Sequence, residues 1–120
     1  MAQQIFDITN IIREQKEVPR LKWDAEAAIA AKHHSEDMNE NQYFSHYRLN
    51  GDGLKKRLMD VEATYLSAGE NIAAHYIDSP ATIHGWMNSE GHRETLLNEA
   101  YNYLGVGVYE LYYTQNFIEK

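Results

Sequence analysis

The sequence predicts an α+β domain in which helices cover a small antiparallel sheet. Three observations carry this reading. The C-terminal end alternates with period two, first across Leu104, Val106 and Val108, then across Tyr113, Gln115 and Phe117. The N-terminal part carries apolar stripes at helical spacing. Between them lie a strand candidate and further helix starts, so helices, a strand, helices and a hairpin follow in order.

The elements follow from local chemistry. Residues 4–16 are predicted helical, because Ile5, Ile8 and Ile12, with Phe6 and Ile11, form one apolar stripe. Val18-Pro19 ends it, since a residue before proline avoids the helical region. Asp24 is the N-cap of a second helix, and Glu26 lies in its favourable first turn. That helix runs to about Asn39 and puts Ala27, Ala31, His34 and Met38 on one face, where the alanines permit close packing. Residues 40–51 read as loop, with Asn41, Asn50 and Gly51 as turn residues.

A short helix is predicted over 52–60, then a strand around Tyr65–Ala68, with Gly69-Glu70-Asn71 in a turn. Ser79-Pro80 starts the next helix, with serine as cap and proline in the first turn. Its apolar residues are Ile83, Trp86 and Met87. Asn88-Ser89 with Gly91 breaks it, and Ser89 caps a short helix ending near Leu97. Glu110 sits at the turn of the final hairpin. Gly105 and Gly107 share one strand face and leave it bare for a close neighbour.

The chain of 120 residues reads as a single domain, residues 1–120, with no repeat or linker. Its hydrophobic fraction of 43% is too high for a disordered chain. The longest apolar run, Ala27–Ala31, is far too short to cross a bilayer. Met1 leads into polar Gln3 and Gln4, so the start does not read as a leader. The chain is then expected to be cytoplasmic, or a secreted domain without its leader.

A net charge of −7 argues against a nucleic-acid partner, which needs clustered Lys and Arg. The one dense basic group, Lys55, Lys56 and Arg57, reads as a solvated helix face. With no cysteine, disulfides, thiolate catalysis and Cys-based zinc sites are excluded.

Several chemical motifs are absent: His-Glu-x-x-His, Gly-x-Ser-x-Gly and a phosphate-binding glycine loop. What remains is His46, Glu70 and His92, each beside turn residues, where sites concentrate. An imidazole relays protons near neutral pH or binds a metal when neutral. A nearby carboxylate fixes its tautomer or takes a proton. Glu70 has an equally simple structural reading, holding its turn by accepting backbone N–H groups. His34, on the apolar helix face, reads as a hydrogen-bonded core histidine, while His33, His75 and His84 read as surface residues. Trp86, Tyr43, Phe44 and Phe117 read as core aromatics.

Four blocks in order resemble a known family. They are His34-Ser35-Glu36-Asp37-Met38 with Asn41-Gln42-Tyr43-Phe44-Ser45-His46, then Ala68-Gly69-Glu70-Asn71-Ile72-Ala73. Trp86-Met87-Asn88-Ser89-Glu90-Gly91-His92-Arg93 follows, then Leu104-Gly105-Val106-Gly107-Val108 with Tyr112-Tyr113-Thr114-Gln115-Asn116-Phe117. Together they resemble the CAP superfamily of cysteine-rich secretory proteins, venom antigens and plant pathogenesis-related proteins. Within it the chain is similar to the shorter, cysteine-free bacterial branch of SCP-like extracellular proteins.

The resemblance implies a three-layer α-β-α sandwich with a small central antiparallel sheet. It also implies a surface cavity that two His and two Glu line in eukaryotic members. His46 matches the first histidine and Glu70 the first glutamate. Ser89 stands where the second glutamate is expected and Tyr112 where the second histidine is expected, so half of that tetrad is absent. His92, in the Gly-His-Arg turn of the bacterial branch, is the substitute imidazole. Ser35, Asn71, Ser89 and Tyr112 are candidate rim residues. His46 and His92 are the candidate ligands for zinc or another divalent cation. Bacterial members are exported, so an extracellular or cell-envelope location is implied, with an associated N-terminal domain or anchor in the full-length protein.

Three functions remain open. One is a binding module for a peptide, a lipid or a cell-wall or other cell-surface ligand. The second is a hydrolase with His46 or His92 as base, Glu70 as orienter and water as nucleophile, with or without a metal. The third is an interaction scaffold with a vestigial cavity. Binding ranks above catalysis because the sequence holds no evident nucleophile beside a base, and one scaffold hosts many functions. His46, Glu70 and His92 are expected to meet in one pocket.

Overall fold

A computed structural model describes residues 1–120. The elements are α1 (Ala2–Gln15), β1 (Lys22–Trp23), α2 (Ala25–Glu40), α3 (Leu54–Asp60) and β2 (Ser67–Ala74). They continue with α4 (Ser79–Met87), α5 (Glu90–Leu96), β3 (Tyr103–Tyr109) and β4 (Tyr112–Glu119). The sheet order is β1-β3-β4-β2, with β1 parallel to β3 and the other pairings antiparallel. The α+β expectation holds. The short parallel strand β1, which carries no alternation to read, is an addition.

The sheet lies between two helical layers, so β4 is buried on both faces. One face packs Tyr113 and Phe117 with Ile5 of α1, Ile83 and Trp86 of α4 and Leu96 of α5. The other face packs Ile118 with Ala27 and Ala30 of α2 and Leu58 of α3. Successive β4 side chains therefore serve opposite layers.

The two strand glycines let α2 settle directly on β3. A Cβ on Gly105 would lie 2.1 Å from the Ala28 nitrogen, and one on Gly107 2.1 Å from the Lys32 nitrogen. Both obstacles are helix backbone, which cannot move aside alone. Further along α2, Ser35 Oγ donates to the Gly107 carbonyl at 2.9 Å and meets Thr114 Oγ1 at 2.8 Å. Asp24 caps α2, accepting from Ala27 N at 2.8 Å.

Several boundaries differ from expectation. The turn placed at Gly69-Glu70-Asn71 is the middle of β2, paired along its length with β4. The cap of α4 is Asp78, which accepts from Ala81 N at 2.8 Å, and Ser79 sits inside the helix. Ser89 is the N-cap residue of α5 but makes no side-chain cap bond. The residues Glu17, Gln42 and Glu62 follow the caps of α1, α2 and α3 in left-handed conformation. None is glycine, so these ends carry no glycine stop signal in the sequence.

Buried polar groups tie the layers together. Arg13 is fully buried and donates to the carbonyls of Pro19, Leu96, Asn98 and Tyr101. It thereby anchors the end of α5 to α1, where a cation also complements the helix dipole. Asn10 exchanges two hydrogen bonds with the Leu21 backbone, at 3.0 and 2.7 Å.

The glycine contacts yield a direct test. Gly107→Ala is expected to destabilise the domain by at least about 3 kcal/mol, measured by urea denaturation, because helix and strand must separate. Gly91→Ala, where a Cβ meets nothing within 4 Å, is the control and should stay within about 0.5 kcal/mol of the parent.

Candidate functional site: a cleft on the open edge of β2

The strand β2 forms one edge of the sheet. Its register with β4 pairs Asn71 with Gln115 and Ala73 with Tyr113, and His75 N donates to the Leu111 carbonyl at 2.7 Å. Antiparallel alternation then turns the backbone groups of Glu70, Ile72 and Ala74 away from β4. One of these is used: Trp86 Nε1 donates to the Ile72 carbonyl at 3.0 Å.

Beside this edge lies a cleft of ≈ 410 Å³. Ile72, Ala73 and Ala74 form its floor, with buried Trp86 beneath. Phe44 and Tyr76 stand at its lips, and Ser89, His75 and His92 supply its polar groups. Phe44 is 54% exposed, which corrects its reading as a core aromatic. His75, just past the end of β2, has φ of 70°, and the chain turns out there to present Tyr76. Tyr113 Oη fixes that turn by donating to the Tyr76 carbonyl at 2.7 Å.

Glu70, in the middle of β2, sits in an ion-pair network. Its side chain is 3% exposed. Arg57, fully buried, donates to Oε2 at 2.5 Å and to Oε1 at 3.0 Å. His46 Nδ1 lies 2.9 Å from Oε1, and Arg57 also donates to the His46 carbonyl at 2.6 Å. Burial pushes the Glu70 carboxyl up, yet the bonds from His46 and Arg57 outweigh it and hold it below the usual range. The carboxylate therefore accepts, His46 Nδ1 donates, and His46 Nε2 has no protein partner. Arg57 corrects the reading of Lys55-Lys56-Arg57 as a solvated face. Three consecutive residues span most of a helical turn, so one of them faces inward.

His92, at the start of α5, is half-buried, with Nδ1 2.9 Å from Ser89 Oγ. Burial first, and the charge of His46 second, lower its basicity. A nucleophile-type hydroxyl thus does lie beside an imidazole here, contrary to the sequence reading. No group orients the far nitrogen of His92, as the base of a catalytic triad requires.

The structure bonds His46 to Glu70 and places His92 in the lining of the cleft, which includes neither His46 nor Glu70, so the three expected to meet in one pocket divide into a bonded pair and a separate imidazole. Asn71 is buried and holds His92 from behind, donating to its carbonyl at 3.1 Å. Ser89 lines the cleft. Three rim expectations are corrected, that of Asn71, which is buried outside the lining, and two more. Ser35 is fully buried against Gly107 and Thr114, and Tyr112 is buried with Met38 and Ile72. Ser35 belongs to the face of α2 that meets the sheet, and Tyr112 packs against Met38 of the same helix. Sequence reasoning missed Arg57, whose helix gives no period to read, and Tyr76, which no motif marks.

The residues do not fit the metal site that the family resemblance implies. No three His, Asp or Glu side chains converge at ligand distance. Glu70 is already held by a guanidinium, whose charge repels a cation.

Comparison with known proteins agrees with this fold. The model of the CAP, or cysteine-rich secretory protein, family matches residues 6–118. The chain belongs to this family. It does so without a cysteine. It is 52% identical over 118 residues to the uncharacterized membrane protein YlbC of Bacillus subtilis, covering 98% of this chain and 34% of that one. It is 32% identical over 120 residues to the uncharacterized protein YkwD of the same organism, covering 98% and 47%. The chain thus spans less than half the length of these curated relatives.

Among solved structures, an extracellular protein containing an SCP domain from Bacillus anthracis matches with TM-score 0.97 and 52% identity. That match covers 99% of this chain and 40% of the other. A Staphylococcus aureus cysteine-rich secretory protein matches at 0.87 and 30%, covering 99% and 38%. An outer surface protein of Borrelia burgdorferi matches at 0.89 and 20%, covering 98% and 91%, which shows a shared fold. The CAP sandwich expected from the sequence is therefore the observed architecture.

Two measurements test the network. Glu70→Ala leaves a buried guanidinium unpaired and is expected to cost about 3–5 kcal/mol in urea denaturation. His46→Ala, at a half-exposed side chain, is expected to cost less than about 1 kcal/mol. Stability is also expected to fall with acid. His34 is fully buried, donates from Nε2 to the Ser45 carbonyl at 2.8 Å, and leaves Nδ1 unpartnered. Burial first, and Arg57's charge second, lower its pKa. The unfolded chain takes up that proton first, so stability drops as pH falls below about 6.5. Glu70 adds a further loss below about pH 4.5, where the unfolded carboxyl protonates before the folded one. A denaturation midpoint that stayed flat from pH 7 to 5 in the parent would contradict the His34 assignment.

Proposed function

We propose that this CAP domain is an extracellular or cell-envelope binding module whose ligand occupies the cleft between Phe44, Tyr76 and His92. The observation that carries this is the cleft's composition. It joins an apolar floor, exposed aromatic lips and a few convergent polar groups, the usual make-up of a ligand site. Exposed aromatics grouped on a folded domain mark interaction sites. The relatives described as extracellular, outer-surface or membrane proteins support the location. No helix of this chain is long and apolar enough to cross a membrane. The shorter span relative to those proteins supports further domains or an anchor in the whole protein.

A hydrolase is the second reading, favoured by the contact between Ser89 Oγ and His92 Nδ1. It ranks lower because nothing orients the far nitrogen of His92. Turnover of p-nitrophenyl acetate that disappears in both Ser89→Ala and His92→Ala would move the conclusion to this reading.

A glycine offers a selective test of the cleft. A Cβ on Gly85 would lie 2.3 Å from Tyr76 Oη, the far end of a partly exposed side chain. Gly85→Ala should therefore displace Tyr76 at little cost in stability. With 8-anilino-1-naphthalenesulfonate as probe, amide NMR shifts are expected at Ala74–Tyr76, Ser89 and His92 in the parent. Affinity should fall at least about tenfold in Gly85→Ala, roughly 1.4 kcal/mol of binding. Shifts scattered over other surfaces, or equal affinity in the variant, would refute a cleft-centred module.

A further inference from the structure

Phe44, one of the two aromatic lips of the cleft, lies between two residues that a buried histidine holds. That histidine is His34, on α2, with no exposed surface. Its Nε2 donates to the Ser45 carbonyl at 2.8 Å. Its ring meets the Tyr43 ring edge-on, with centroids 6.1 Å apart. Tyr43 is also tied to α2 by its hydroxyl, which donates to the Asp37 carboxylate, and by its N–H, which donates to the Met38 carbonyl at 3.1 Å. His34 is thus covered by the connection between α2 and α3, and the same contacts hold that connection down.

The surroundings of His34 suit only its neutral form. Nδ1 is buried without a partner, so a proton placed there finds no acceptor. The charged and titratable groups around the ring are Arg57 of α3, Glu70 of β2, Asp37 of α2 and Tyr43 of the connection. Burial first, and Arg57's charge second, oppose protonation; Glu70, the Ser45 bond and Asp37 favour it without reversing the balance. Both carboxylates are already engaged, Glu70 by Arg57 and His46, and Asp37 by Tyr43 and Asn41. A charged His34 therefore needs water. Among its neighbours, α2, α3 and β2 are regular elements, and the connection is the one piece without regular structure.

We propose that this connection is an acid-sensitive latch: proton uptake by His34 at Nδ1 lifts the segment around Tyr43–Arg48 off α2 and carries Phe44 away from the lip of the cleft. The closed form excludes the proton. The open form exposes an ordinary imidazole with a pKa of about 6.5, so opening gains ground as pH falls below that value. Glu70 keeps its charge over this range, because its carboxyl lies below the usual carboxylate range. The latch does not depend on what the cleft binds.

The test is native-state hydrogen exchange at pH 7 and pH 5, corrected for the intrinsic pH dependence of exchange. The N–H groups of Tyr43 and Arg48, bonded to the Met38 and Asp52 carbonyls, report on the latch. They are expected to exchange through a local opening that low urea does not change, whereas the β3–β4 hairpin exchanges with global unfolding. The local opening constant should rise at least about fivefold from pH 7 to 5, against a ceiling of about twenty-fivefold for one proton. His34→Gln keeps a donor for the Ser45 carbonyl and cannot titrate, so its local opening should show no such rise. A measurement on the parent alone stands beside the variant: long-range proton–nitrogen NMR should show His34 neutral at pH 7 with its proton on Nε2. Exchange of Tyr43 and Arg48 only with global unfolding overturns the proposal. So does a local opening that stays flat with pH in the parent, an equal rise in His34→Gln, or a His34 ring already charged at pH 7.

Discussion

The buried pair of Arg57 and Glu70 is the constraint on which the site depends. A guanidinium with no exposed side-chain surface cannot stand without its carboxylate. The pair joins three parts of the chain that are otherwise weakly linked. Arg57 comes from α3, Glu70 from β2, and the His46 carbonyl from the connection between α2 and α3. That connection has no regular secondary structure, yet it carries Phe44 to the cleft and His46 to Glu70. Its position is set by Arg57, which bonds a carboxylate and the His46 carbonyl at once, and by His34, which donates to the Ser45 carbonyl. The same carboxylate orients His46, so the imidazole's free nitrogen faces outward as a consequence of packing.

A second constraint acts from the other face of the sheet. Gly105 and Gly107 bring the backbone of α2 onto β3, which positions Met38 and the start of the following connection. On the opposite face, Arg13 ties α5 to α1 through the carbonyl of Leu96. His92 is thereby held from one side by α5 and from the other by Asn71. The cleft is the gap between these two assemblies, along the edge where the sheet stops. Its floor is strand backbone, and its walls belong to different layers. A site of this kind tolerates loop variation while keeping its base.

Much of the fold was legible because it follows period and capping. The hairpin alternation, the Asp24 cap and the bare glycine face all have strong local causes. The helix ends at Glu17, Gln42 and Glu62 were not legible, since glutamate and glutamine give no sign of left-handed backbone. The Gly69-Glu70-Asn71 segment misled because glycine and asparagine favour turns locally. Sheet pairing with Phe117, Asn116 and Gln115 overrode that preference. His46, Glu70 and His92 stood out by residue type. Arg57 did not, because burial of a charge depends on a partner distant in sequence. The cleft itself was invisible, since an open strand edge is a property of sheet order, which no local pattern states.

The most direct test of this account is native-state hydrogen exchange on Glu70→Gln, which keeps the side chain's shape and removes its charge. Amide bonds such as those of Arg48 to Asp52 and Ala63 to Leu58 report on the connection and on α3. The account predicts that these lose protection selectively, while the hairpin of β3 and β4 keeps its own, as a local opening of the site-bearing segment. Equal loss across both regions, or no loss in either, would contradict the claim that this ion pair positions the cleft.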